Sequence, residues 1–272
     1  MGYLSTDKKK ITANIFLQMK AAGEKIAQMT AYDYTTAKIL DQAGIDSILI
    51  GDSASNVMAG NEDTLPITLE QIIYHARSVA RACSHCLVVC DMPFGSYQVS
   101  KEEAIRNAIR IMKESGADAL KLEGGVEIAD TIKGIINAGI PVVGHLGLTP
   151  QSIHKFGGYG LRAKESSEAE KLIQDALALD TAGVFAITLE KVPAELASRV
   201  TKMVKAATIG IGAGSGTDGQ VLVYADALGM TQDFKPKFLR YFADVKTCMT
   251  NGVQDYVKSV KDSTFPNESE SY

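Results

Sequence analysis

Short, near-continuous apolar runs recur along the chain at intervals of 13 to 42 residues. They begin near Ile26, Ser47, Leu87, Ala119, Val142, Val184, Thr208 and Val221. Continuous rather than alternating apolar character predicts strands covered on both faces. Between most of them lie stretches of helical periodicity, such as Thr68 to Arg81, Ser100 to Lys113 and Ser167 to Thr181. Four helix-to-strand junctions share one pattern: Gln42-Ala-Gly44-Ile, Glu114-Ser-Gly116-Ala, Asn137-Ala-Gly139-Ile and Thr181-Ala-Gly183-Val. Glycine after a helical run is the expected left-handed cap. Eight strands alternating with helices predict an α/β fold, a single (β/α)8 TIM barrel. Gly214 to Gln220 is too short for a full helix, and Thr12 to Ala22 reads as an N-terminal helix able to plug the barrel bottom.

The chain has 272 residues, 46% of them hydrophobic, enough for a large core in one domain spanning 1–272. No Pro/Ser/Gly-rich linker divides it, and the polar tail from Asp262 to Tyr272 is expected to fray. A net charge of −4 without charge blocks gives no support for nucleic-acid binding. Met1 to Lys10 is polar, and no apolar run approaches membrane-spanning length, so a cytosolic protein without membrane partners is expected. Cysteines in such a compartment do not imply disulfides, and Cys83-Ser-His-Cys86 lacks the second ligand pair of a zinc site.

Acidic residues stand where the predicted strands end: Asp52, Asp91, Glu123 and Glu190, with His145 closing a fifth strand. Strand ends gather on the catalytic face of a barrel, and carboxylates collected there need a cation or a proton to offset them. Hard oxygen ligands suit Mg²⁺. Lys121 and Glu123, two apart on one strand, point into the same space. Each residue has a structural alternative. Asp52 and Asp91 fit turns, and Glu123 before Gly124-Gly125 fits a helix cap. Lys121 could pair with Glu123, His145 could be a satisfied core histidine, and Glu190 could pair with Lys191 or Arg199. Two long loops, Asp52 to Ile67 and Leu146 to Ser166, lie on the same face; the second, with Phe156-Gly-Gly-Tyr159, suits a lid. Gly210 to Gly216 looks like a nucleotide loop but lacks the context for one.

Taken together, Met29-Thr-Ala-Tyr-Asp33-Tyr, Gly51-Asp-Ser53, Thr64-Leu-Pro66, Asp91-Met-Pro-Phe-Gly95, Lys121-Leu-Glu-Gly-Gly125, Gly144-His-Leu-Gly-Leu-Thr-Pro-Gln151, Phe156-Gly-Gly-Tyr159 and Gly210-Ile-Gly-Ala-Gly214 resemble the ketopantoate hydroxymethyltransferases, in that family's order. The resemblance implies a barrel of the phosphoenolpyruvate/pyruvate superfamily. It implies transfer of a hydroxymethyl group from 5,10-methylenetetrahydrofolate to 3-methyl-2-oxobutanoate, giving 2-dehydropantoate for pantothenate and coenzyme A synthesis. It places metal ligands on Asp52, Asp91 and Glu123, substrate contacts on Asp52, Ser53, Asp91, Lys121 and His145, and the general base on Glu190. It also implies a homo-oligomer, often a decamer. The departures are Ala54-Ser55-Asn56 after the metal loop, Cys90 before Asp91, and Lys191 after the base, which an unbroken pleat would turn away from Glu190. The alternatives are a lyase or mutase of the same superfamily, whose usual Lys-Cys-Gly loop is absent here, and a non-catalytic barrel scaffold.

Overall fold

Local signals start and stop the helices before any packing is considered. Thr68 and Gln71 form a reciprocal capping box at the head of α4 (Leu69–Ala82), and Ser100 caps α5 (Lys101–Ser115) through the amide of Glu103. Helix α5 buries Ala104, Ala108, Ile111 and Ser115, one stripe at helical spacing. The four junction glycines all have positive φ, between 78° and 100°. The computed structural model describes residues 10–232 and 235–272; most of the polar start lies outside the described residues.

Eight parallel strands close in sequence order: β1 (Ile26–Thr30), β2 (Ser47–Ile50), β3 (Leu87–Asp91), β4 (Ala119–Glu123), β5 (Val142–Gly147), β6 (Ala186–Glu190), β7 (Ala207–Ile211) and β8 (Gly219–Leu222). The sixth begins two residues later than its apolar run suggests, and the eighth two residues earlier. The barrel unit has α1 (Ala13–Ala22), α2 (Tyr34–Ala43), α3 (Ala54–Val57), α4, α5, α6 (Ala129–Asn137), α7 (Ile153–Phe156), α8 (Ser166–Ala182) and α9 (Ala194–Met203); strands β7 and β8 follow one another without a helix, as expected. Phe16 and Met19 of α1 pack into one buried cluster with Leu87, Ala119, Phe185 and Ala207, so α1 closes the end where the strands start.

The loops after β2 and β5 are less open than the sequence implies. Ala54–Val57 forms one helical turn, and Ser55 and Asn56 bond to Asp63 and Asn61 within the same loop, so the departure from the family pattern builds local structure. The second loop contains a 3-10 turn, Pro150–Ser152, and then α7.

Contacts divide the chain into two units, the barrel through Leu222 and a second unit over Val223–Tyr272. The second unit holds α10 (Tyr224–Ala227) and α11 (Val245–Lys261), with Phe242 and Val245 amides bonded to carbonyls of Ala227 and Leu228. Its exposed tail is not wholly irregular: Asn267 caps a turn over Glu268–Glu270.

Candidate active site

Strand alternation aims Asp91, Lys121, Glu123, His145 and Glu190 into the barrel mouth, and parallel register sets Asp91 beside Lys121 and Glu123 beside His145. Asp52 follows β2 directly. Gly51 before it makes room for Ser53: a Cβ there would lie 2.5 Å from Ser53 Oγ. Asp52, Asp91, Lys121, Glu123 and His145 are all at most 8% exposed, whereas Glu190 is half-buried. The structure therefore assembles every residue singled out above in one place. Ser53 joins at the rim, its hydroxyl 2.7 Å from that of Tyr32.

The three buried carboxylates are held alike. Asp52 Oδ2 accepts from Gln151 Nε2 (2.9 Å), Asp91 Oδ2 from the Asp52 amide (3.0 Å), and Glu123 Oε2 from the Gln151 amide (2.9 Å). Asp91 Oδ1 and Glu123 Oε1 accept no hydrogen bond. Lys121 Nζ lies 2.9 Å from the first and His145 Nδ1 3.2 Å from the second, ion-pair distances without hydrogen-bond alignment. His145 Nε2 is likewise 3.3 Å from Glu190 Oε2 but out of line. Each of these oxygens faces one positive side chain and accepts nothing from the backbone, so a carboxylate lone pair is left for a cation.

Burial raises the Asp52 carboxyl well above the usual range, and the charges of Asp91 and Glu123 raise it further. Burial and Lys121 pull His145 down, but Glu123 and Glu190 outweigh them and leave it raised to about 9. Burial lowers Lys121, yet Asp91, Glu123 and Asp52 together hold its ammonium above its ordinary value.

The sequence alternatives resolve geometrically. Lys121 pairs with Asp91, Glu190 with His145, and Glu123 receives the amide of Gln151 instead of capping the next helix. Lys191 does not continue the pleat. The strand stops at Glu190, Lys191 takes a left-handed φ of 46°, and its ammonium donates to the Tyr159 carbonyl. Gly147 permits the loop to start there, because a Cβ would meet the Glu190 carbonyl at 2.2 Å. Within the Leu146 to Ser166 segment Arg162 stacks 4.0 Å from the Phe156 ring centroid, and its amide donates to the Lys191 carbonyl at 2.8 Å.

Two participants were not legible as such: Gln151 and Tyr97. Tyr97 donates to Gln151 Oε1 (2.6 Å) and accepts from the Glu123 amide (3.2 Å). Gln151 at least stands inside the Gly144–Gln151 motif; Tyr97 carries no comparable signal.

Among the described residues, the trio of potential ligand atoms lying within 4.8 Å of one another is elsewhere: Asp41, Cys83 and Cys86, at the strand-start end. Asp41 is already occupied, accepting from the amides of Ser84, His85 and Cys86 and from the Ser84 hydroxyl. That cluster is a capped turn. Asp52, Asp91 and Glu123 do not form such a close trio, so an ion held by all three would need water between itself and part of the set, as Mg²⁺ commonly keeps. An open groove on the outer wall, lined by Ala194, Ser198, Arg199, Lys202, Ser215 and Gly216, shares no residue with the mouth.

A closed parallel barrel with acids at its strand ends belongs to a recognisable class. Phosphonopyruvate hydrolase, crystallised with oxalate and Mg²⁺, aligns over 96% of this chain and 93% of its own (TM-score 0.61, 12% identity). 2,3-Dimethylmalate lyase, a PEP mutase/isocitrate lyase superfamily member, aligns over 97% and 93% (TM-score 0.59, 14% identity). These likenesses show the fold, a closed parallel (β/α)8 barrel. Residues 10–268 match the ketopantoate hydroxymethyltransferase family model, and the chain belongs to that family of transferases. Proteins named 3-methyl-2-oxobutanoate hydroxymethyltransferase from Phocaeicola vulgatus (59% identity, 100% of this chain, 99% of theirs) and Flavobacterium johnsoniae (60%, 100% of both) are similar throughout.

Proposed function

We propose that the mouth enolises 3-methyl-2-oxobutanoate and joins its C3 to the one-carbon unit of 5,10-methylenetetrahydrofolate, with water supplying the hydroxyl and tetrahydrofolate leaving, to give 2-dehydropantoate for pantothenate synthesis. The observation carrying this reading is the division of labour among four carboxylates. Asp52, Asp91 and Glu123 each have one oxygen secured by an N–H, and Asp91 and Glu123 keep the other free of hydrogen bonds. Glu190 stands apart, half-buried, with its carboxylate beside His145.

The three secured acids would hold Mg²⁺, which supplies charge to offset the developing enolate oxygen of a chelated 2-oxo acid. Lys121, fixed by Asp91, offers its ammonium to the substrate carboxylate, and Ser53 Oγ a hydrogen bond at the rim. Glu190 removes the C3 proton. A base must stay off the metal to remain basic, and its separation from the trio meets that demand. His145, positive between Glu123 and Glu190, orients the base and hydrogen-bonds the substrate. The segment from Leu146 to Ser166 acts as the lid, with Lys191 holding Tyr159. Among the described residues no helix is long and apolar enough to cross a membrane; a cytoplasmic homo-oligomer fits the exposed Ile39 and Tyr74 on neighbouring α2 and α4.

The test uses purified protein, Mg²⁺ and both substrates, read for 2-dehydropantoate; no product under varied metals would sink the reading. Without folate, solvent deuterium should enter C3 of the oxo acid. Glu190→Gln should still bind metal and oxo acid but lose this exchange, with kcat down by ~10²–10⁴. Exchange at the parent rate in Glu190→Gln would pass the base role to His145.

A further inference from the structure

Gln151 is 7% exposed, and its side chain makes four hydrogen bonds. Its Nε2 donates to Asp52 Oδ2 (2.9 Å) and to the Met92 carbonyl (3.0 Å). Its Oε1 accepts from Tyr97 Oη (2.6 Å) and Gln98 Nε2 (3.1 Å). Two donors and two acceptor sites are thus all in use. The amide cannot be flipped, since its oxygen would then face a carboxylate and a carbonyl. Independently of the side chain, the Gln151 backbone amide donates to Glu123 Oε2.

One residue from the loop after β5 therefore touches the acid after β2, the loop after β3 and the acid ending β4. Asp52 and Glu123 repel each other and Asp91 across the mouth. Without a fixed donor, Asp52 would rotate away from its neighbours before any cation arrived.

We infer that Gln151 is the positioning residue of the cation site: its side chain aims Asp52, its backbone aims Glu123, and Tyr97 locks it in place. The inference rests on the metal reading above and assigns Gln151 no contact with the reacting atoms. Its place at the head of the 146–166 segment means that movement of this segment would loosen two acids at once.

Gln151→Met keeps the volume and the backbone amide while removing every side-chain bond. The probe is Mn²⁺ binding to the metal-free protein, followed by its paramagnetic signal. Lost outer-shell partners typically weaken metal binding by about 10–100-fold, and Gln151→Met should fall in that range. Tyr97→Phe should weaken Mn²⁺ binding in the same direction but less. At low Mg²⁺ the KM for the oxo acid should rise; at saturating Mg²⁺ kcat should return close to the parent value. Mere structural damage would not be reversed by metal. Parent-like Mn²⁺ affinity in Gln151→Met would overturn the inference. If that variant does not fold, Tyr97→Phe decides alone, and unchanged affinity there overturns it equally. A parent protein that binds no Mn²⁺ would remove the metal reading, and this inference with it; a binding parent with unaffected variants would remove only the inference.

Discussion

The two ends of this barrel use the same side chain in opposite ways. At the strand-start end, Asp46, Asp118 and Asp218 each immediately precede a strand and accept the amide of a residue on the neighbouring one: Ala27 (2.8 Å), Val88 (2.9 Å) and Thr208 (2.8 Å). Asp180 takes the amides of Lys205 and Ala206, and Asp41 those of Ser84, His85 and Cys86. Lys10 and Lys20 pair with Asp118 and Asp218 at 2.9 and 3.0 Å. These acids are satisfied, and they tie one strand start to the next. At the mouth, Asp52, Asp91 and Glu123 are buried together, and Asp91 and Glu123 each keep one oxygen that meets only a positive side chain, out of hydrogen-bond alignment. Satisfied acids stabilise; acids crowded in a low-dielectric space store repulsion that a ligand relieves. The lesson is that a buried carboxylate is read by its unfilled lone pairs, not by its burial.

Substitutions should separate the two ends. In the mouth, Asp91→Ala should weaken Mn²⁺ and oxo-acid binding together, by more than the roughly 100-fold upper range for outer-shell partners. In chelator its melting temperature should fall, because the buried Lys121 ammonium loses its ion-pair partner and the Asp52 amide its acceptor. Parent-like Mn²⁺ binding in the variant would erase the contrast. At the other end, Asp41→Ala leaves three amides without their acceptor and should cost about 2–4 kcal/mol in denaturant unfolding. The kcat of the folded fraction should not change.

The ends should also titrate oppositely. The folded-state pKa of His145 is raised from 6.5 to about 9. Its stabilisation is fully present below the unfolded value and lost as pH rises through about 9, worth up to roughly 3 kcal/mol. Asp52, also raised, acts in the same direction above 3.8. Asp41 is lowered below 3.8: burial alone would raise it, but the amides of Cys86 and Ser84 outweigh that. Its contribution is present above 3.8 and lost only on further acidification. Melting of the chelated protein across pH 6–10 should therefore fall, and His145→Asn should flatten the fall. A flat parent curve would argue against an imidazolium between Glu123 and Glu190.

The smallest expected effect is in the lid. Amides between Leu146 and Ser166 should become a few-fold more protected from hydrogen exchange when both substrates bind, while the strand-start end stays as it was. Equal exchange in both states would leave that segment a fixed connector.

Much of this was legible in the chain. Apolar runs, junction glycines and the acids at strand ends follow from rules of short range: periodicity, left-handed caps, and a fold class that collects strand ends on one face. Asp52, Asp91, Lys121, Glu123, His145 and Glu190 could be named because each lies within a residue or two of a strand terminus. Position along a strand also sets the face, so Lys121 and Glu123 could be placed together. What sequence order could not supply was distance between loops. Tyr97 and Gln151 are 54 residues apart and bond at 2.6 Å; Gln151 and Asp52 are 99 apart and bond at 2.9 Å. The Asp46 and Asp118 ties hid in the junction pattern itself, just after the glycine, because their acceptor role depends on which strand closes beside them. Lys191 changed course because a strand's last residue is set by where its partners stop, not by its own alternation. The chain determined which chemical groups reach the mouth; only barrel closure decided which of their lone pairs remain free.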